Sequence, residues 1–267
     1  MPIHNTESLF IPQNRLATLG AKEYFSARSL LEKGERCEEP LGGVRDPKCL
    51  LRQGDYDICI CLADSPGRRN LVNRLIKNMY SWRGYHTEHA VISSQSPHQL
   101  TLEASTSKKI AGTLTIGLDS EKGMLVDALY EQEISAFRAG NNRLCELSKL
   151  AISPQHSSKE LLASLFNLAY IYARMIHKVT YFFIEVNPRH AAYYKRMLGF
   201  TQIGKERVCP RVNAPAVLLH LDLAYVDEQV SLLAGSPEPS KMRSLYAYFL
   251  PKDEEERVVR SFRCHMN

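Results

Sequence analysis

Apolar and polar residues alternate over Tyr56–Ala63, where Ile58, Ile60 and Leu62 oppose Asp57, Cys59 and Cys61. That period of two predicts a strand. Cys59 and Cys61 fall on one face and read as small buried thiols. Ser65-Pro66 opens a helix to about Arg83, with Leu71, Leu75 and Met79 at four-residue spacing. Gln99–Ser105 and Ile110–Leu118 read as a hairpin around Thr106-Ser107-Lys108-Lys109, Met124–Phe137 as a helix and Leu144–Ile152 as a strand. The strongest helical signal is Ser157–Ile176. Leu161, Leu165, Leu168, Tyr172 and Met175 form its apolar stripe, widened by Leu162, Ala169 and Ile176. Val179–Val186 is apolar on both faces, as in a central, doubly covered strand. Arg189–Met197 is helical, and Val217–Leu223 closes the sheet, with Leu219, Leu221 and Leu223 against His220 and Asp222.

The predicted order is β α β β α β α β α β. It implies an α/β (α+β) domain: an open mixed sheet with helices on both faces. Residues 1–54 are weakly patterned, with a short helix within Lys22–Lys33, and form an N-terminal extension. The patterned domain is 55–224. Ser236-Pro237-Glu238-Pro239-Ser240 reads as a linker in a C-terminal extension, 225–267, containing helix and strand. There is no internal repeat.

Composition narrows the class. The 267 residues suffice for one large domain, or for one domain with tails. No run of about 18 apolar residues is present, so no integral membrane segment is expected. The opening Met-Pro-Ile-His-Asn-Thr-Glu lacks the pattern of a secretory signal. Seven cysteines lie without CxxC or Cys/His metal spacing, which suits thiols in a reducing cytoplasm, and no metal is expected. The net charge of +5 fits a solvated surface or an acidic macromolecular partner. Nucleic acid is disfavoured, because no basic run interleaved with aromatics occurs.

Several residues carry possible chemistry. In Cys145-Glu146-Leu147-Ser148-Lys149-Leu150, strand alternation puts Glu146 among apolar neighbours. Burial raises a carboxyl pKa, the usual route to a base near neutral pH. A structural Glu paired with a nearby Arg, or one at a solvated edge, is the equal alternative. Ser157-x-x-Glu160 fits a capping box at a glycine-free helix start. Its carboxylate would occupy the end where a pyrophosphate binds. Tyr193 and Tyr194 follow Asn187 on one helix, and either ring can instead be packing.

The stretch from Phe183-Ile184-Glu185-Val186-Asn187 through Tyr193-Tyr194 to Gly199-Phe200 resembles the closing strand–helix unit of the GNAT acyltransferases. Glu146-Leu147-Ser148-Lys149 resembles the Glu-x-Ser-Arg motif of acyl-homoserine-lactone synthases and long-chain N-acyl amino acid synthases, with Lys149 where Arg is commoner. The segment Asn70–Tyr85, Asn187-Pro188-Arg189-His190 and Cys209–Ala216 are similar to the latter synthases. The resemblance covers roughly 56–223. It implies the GNAT fold and transfer of a long-chain acyl group from a thioester to an amino-acid amine. Acyl carrier protein is the expected donor and partner, acyl-CoA the alternative, and no tightly bound cofactor is needed. It implies Glu146 as base, Tyr194 or Tyr193 as acid to the leaving thiolate, and backbone N–H groups for the oxyanion. Ser148, Lys149, Trp82, Arg83, Asn187, Arg189, His190 and Arg211 are then the substrate-binding set. Arg68, Arg69, Arg74, Lys77 and Lys159 are the carrier-binding cations, although such a run is often only a wet helix face. Three other readings stay open. They are an acyl-homoserine-lactone synthase, a conventional acetyl-CoA GNAT in which Lys159 helps hold CoA, and a non-catalytic acyl- or carrier-binding module.

Overall fold

The structure, a computed structural model, describes residues 49–53, 58–92, 97–107 and 109–266. The helix expected within Lys22–Lys33 lies outside them. The described strands are β1 (Leu51–Gln53), β2 (Ile58–Leu62), β3 (Gln99–Ser105), β4 (Ile110–Leu118), β5 (Leu144–Ile152), β6 (Tyr181–Val186), β7 (Thr201–Gln202), β8 (Arg207–Cys209) and β9 (Ala214–Asp222). The helices are α1 (Pro66–Ser81), α2 (Asp127–Arg138), α3 (Lys159–Tyr170), α4 (Pro188–Leu198), α5 (Leu223–Leu233) and α6 (Lys252–Met266). Ile171–Ile176 continues α3 as a π-helix.

The sheet order is β1-β2-β3-β4-β5-β6-β9-β7, with β8 paired to β9 outside that path. Pairing is antiparallel except between β5 and β6, which run parallel. Local chemistry sets the helix starts. Ser65 Oγ accepts from Arg68 N at 3.3 Å ahead of Pro66, and Asn187 Oδ1 accepts from Arg189 N at 3.3 Å ahead of Pro188. Helix α4 ends at Gly199, whose φ of 78° suits a residue without Cβ, and a Cβ there would also overlap the Tyr225 ring.

Four local expectations need correction. The deepest residues of α1 are Val72 and Ile76, with Leu75 and Met79 only flanking them, so the stripe is shifted from Leu71. The cap of α3 is Ser158, whose Oγ accepts from Leu161 N at 3.1 Å, so Ser157 makes no capping box with Glu160. Strict alternation in β5 fails after Ser148. Thr115 pairs with Ser148 but Thr113 with Ala151, and Lys149 takes a φ of 51°, which marks a β-bulge. Finally, Cys59 is not a thiol: it is joined to Cys49 in a disulfide, while Cys61 is a buried thiol outside that bond.

The main core gathers Ile60, Leu102, Leu114, Leu165, Phe182 and Leu219 with α1 and α3. A second cluster under α2 joins Val126, Tyr130 and Ile134 to Leu144, Phe183 and Leu218. The C-terminal segment joins the main core. Tyr246, Phe249, Val258 and Phe262 are buried there. Tyr246 OH donates to Leu198 O at 2.6 Å, and Asn167 Oδ1 accepts from Leu250 N at 3.0 Å. Helices and two 3-10 turns build this segment, and no strand occurs among its described residues. Replacing Phe262 by Ala is expected to destabilise the protein by about 3–5 kcal/mol, read as a lower urea midpoint. A change under 1 kcal/mol would mean that α6 adds little to the core.

Candidate active site

Strands β5 and β6 share a ladder only from Leu144↔Tyr181 to Glu146↔Phe183. Beyond that point β5 stays with β4, and β6 stays with β9 as far as Val186↔Val217. The single sheet therefore splits into two arms. A cavity of about 340 Å³ opens between them. Its volume lies in the range of small-molecule sites. Leu114, Leu147, Leu150, Phe166 and Ile184 supply apolar wall.

Glu146, at the apex of the split, lines this cavity and is 4% exposed. Its Oε2 accepts from Leu125 N at 2.7 Å and Val126 N at 3.3 Å. Burial pushes its pKa up to about 7, against opposing pulls from Arg211 and those two N–H groups. Arg211 also lines the cavity. It donates to Glu185 Oε2 and to Leu125 O, each at 2.7 Å. The Arg211 guanidinium thus braces the chain that holds Glu146, while its charge is paired with Glu185.

Ser148 and Lys149 line the cavity from the bulge, and burial lowers the Lys149 pKa. Asn187, His190 and Tyr194 line it from the start of α4. Tyr194 is buried beside Phe166, with ring centroids 6.2 Å apart, and burial drives its pKa well up. Its phenol therefore stays protonated at neutral pH. Tyr193 packs edge-on to Tyr194 at 5.9 Å and does not line the cavity. Its hydroxyl is buried with no hydrogen-bond partner among the described residues, and burial raises its pKa to about 12. The two rings stand at 87° to each other, and only Tyr194 meets the cavity.

Trp82, Arg83, Arg189, Arg68, Arg69, Arg74, Lys77 and Lys159 sit outside that wall. Trp82 is 63% exposed at the end of α1, with the Arg83 guanidinium 5.0 Å from its ring centroid. Arg83 donates to Met79 O at 2.6 Å. Arg189 is exposed and donates to Tyr85 OH at 3.1 Å, and Tyr85 does line the cavity. His190 is buried, and burial, with Arg189 and Arg83 nearby, drops its pKa to about 3. It is neutral at physiological pH, so it offers a hydrogen bond there rather than a charge. Arg68 is turned inward to an ion pair with fully buried Glu103, and Arg69 donates to Asp64 O at 2.8 Å. Arg74 and Lys77 are exposed on α1, whereas Lys159 is half-buried at the start of α3.

Sequence reasoning missed Tyr80, Tyr85, Glu185 and Cys209, which also line the cavity. Cys209 is buried against the Glu185 carboxylate, and burial followed by that contact lifts its pKa to about 11. Glu185 is the one charged residue in the apolar strand β6, and its ion pair is with Arg211 in the β8–β9 turn. The turn after α1 closes one rim, where His86 N donates to Val212 O at 3.1 Å.

Residues 72–222 match the model of the N-acyl amino acid synthase FeeM family. The chain belongs to that family. The solved structure of FeeM, an N-acyl amino acid synthase from uncultured soil microbes, is 27% identical with a TM-score of 0.57, covering 64% of this chain and 94% of FeeM. A putative N-acetyltransferase from Lactobacillus plantarum is 12% identical with a TM-score of 0.46, covering 62% of this chain and 98% of its own. An acyl-CoA N-acyltransferase from Pseudomonas aeruginosa is 13% identical with a TM-score of 0.43, covering 62% and 99%. No curated protein sequence matches the chain. As a member of the FeeM family the protein is an acyltransferase with the GNAT fold. Among the described residues, no helix is long and apolar enough to cross a membrane.

The raised pKa of Glu146 has a consequence for stability. Folding favours its neutral form, so its stabilising share is complete below the unfolded value of 4.5 and is lost as pH rises through about 7. Glu146→Gln removes the buried charge. The variant is expected to melt a few degrees higher than the parent at pH 8, with a smaller difference at pH 5. Equal melting shifts at both pH values would show that Glu146 ionises normally.

Proposed function

We propose that this acyltransferase moves a long-chain fatty acyl group from an acyl carrier protein thioester to the amine of an amino acid, in the cytoplasm. The observation that carries the reading is the meeting of Glu146 and Tyr194 on one largely apolar cavity at the split between β5 and β6. The acceptor reaches this cavity as an ammonium. Glu146 takes a proton from it, directly or through water, and the freed amine attacks the thioester carbonyl. Backbone N–H groups beyond the last β5–β6 pair stand beside the developing oxyanion. The C–S bond then breaks, and the Tyr194 phenol supplies the proton taken up by the thiolate. The nitrogen passes its second proton, directly or through water, to the Tyr194 phenolate, and Glu146 releases the proton it took to solvent.

Within this reading Ser148, Lys149, Asn187 and Arg211 bind and orient the substrates, with Tyr85 and its partner Arg189 at the rim. Carrier protein as donor is supported by the loop before α3. Residues Pro154–His156 form a glycine-free 3-10 turn, with Ser153 Oγ donating to Gln155 Oε1 at 2.5 Å. Nothing there offers the open, glycine-built backbone cradle that suits a pyrophosphate. Exposed Lys77 and half-buried Lys159 are the cations for an acidic carrier, with Arg74 exposed on the same helix as Lys77. Arg68 is committed to Glu103 and contributes little to that field.

Glu146→Gln is expected to lower kcat/KM by roughly 10²–10⁴-fold with acyl carrier protein as donor. N-acyl amino acids should disappear from organic extracts of expressing bacteria, as read by mass spectrometry. Unchanged turnover would remove Glu146 as base. The parent kcat/KM should rise with pH through about 7 and then level, because only the deprotonated carboxylate accepts a proton. Tyr194→Phe should lower kcat, whereas Tyr193→Phe should leave it within about twofold. The reverse ranking would assign the acid role to Tyr193.

A further inference from the structure

The cysteines of the β1–β2 edge converge in a way that their spacing hides. Cys59 and Cys61 are two residues apart on β2, so both sulfurs leave the same face. The register Leu51↔Ile60 brings Cys49 up to the same edge, with Leu50 N donating to Ile60 O at 2.8 Å. Cys49 is joined to Cys59, and Cys61 Sγ lies 3.2 Å from Cys59 Sγ. The three sulfurs lie within 4.8 Å of one another. They sit at the β1–β2 edge of the sheet, with β3 and β4 between them and β5, and outside the residues that match the family.

We propose that, once reduced, Cys49, Cys59 and Cys61 form a thiolate site for a soft divalent metal ion of the zinc class. Zinc takes thiolates at about 2.3 Å in a tetrahedron, which needs sulfurs roughly 4 Å apart. The three sulfurs already fall within that spread, so small side-chain rotations suffice. A dithiol reductant opens the Cys49–Cys59 bond by exchange: the dithiol is oxidised to its own disulfide and both cysteines become thiols. Binding then expels three protons, one from each thiol, and water completes the tetrahedron. Cys49 and Cys59 are half-buried and Cys61 is fully buried, so the ion would sit against the sheet with only its water position open. Such a clamp would fasten β1, which holds the sheet edge by only three residues, to β2. Disulfide and metal are then two alternative fasteners of the same edge, selected by redox conditions.

Cobalt(II) is the probe, added to the full chain after reduction with a phosphine that does not compete for the metal. One equivalent should produce thiolate-to-cobalt charge-transfer bands and the visible bands of a tetrahedral centre. Zinc should displace them. Chain with the Cys49–Cys59 bond intact should give none. Cys59→Ser and Cys61→Ser should each lose the bands, and Cys264→Ser should keep them. Absence of the bands from the reduced parent would overturn the proposal without reliance on any variant. So would equal bands in the oxidised parent, or bands that survive in both Cys59→Ser and Cys61→Ser.

Discussion

Two adjacent parallel strands that cannot stay paired organise this molecule. The ladder between β5 and β6 ends after Glu146↔Phe183, yet each strand keeps its other neighbour. Backbone groups on the inner edges of the two arms must then be satisfied by something other than a strand. The bulge at Lys149 contributes to the divergence, since an extra residue bends its strand and increases local twist. The cavity, the exposure of the β5 backbone and the placement of α4 at the mouth all follow.

Electrostatics at the apex follow from that geometry. Glu146 is deep enough for burial to dominate its pKa, yet two backbone N–H groups and the Arg211 charge keep ionisation within reach of neutral pH. Glu185 takes up much of the Arg211 charge through a direct ion pair. Without Glu185, Arg211 would hold Glu146 ionised more strongly and make it a weaker base. The Glu185–Arg211 pair is therefore a tuning element as well as a strut between β6 and the β8–β9 turn.

The C-terminal segment matters more to the core than a trailing extension would. The family match ends at residue 222, but α6 and the turn at Leu245–Tyr248 close the apolar face of α3. Buried Asn167 on α3 is bonded to Leu250 N, and Tyr246 reaches the end of α4. The helix that starts beside the candidate site is thus steadied from a part of the chain distant in sequence.

Much of this was legible along the chain. Both strands of the β3–β4 hairpin and strand β5 have the bounds that alternation implies, and Ser65-Pro66 and Asn187-Pro188 open α1 and α4 because capping and a fixed proline φ act within a few residues. The resemblance of a few short motifs led to the acyltransferase family that the comparisons show. Other features depend on which segment meets which. The orientation of Tyr194 rather than Tyr193 toward the cavity depends on where α4 lies against β9 and Phe166. The inward turn of Arg68 on α1 depends on Glu103 from β3, and the joining of Cys49 to Cys59 depends on the β1–β2 register. The bulge at Lys149 appears only when β5 is laid against β4. Periodicity and capping are local and can be read from neighbours in sequence. Register, burial and charge pairing are set by residues far apart along the chain, so folding decided them.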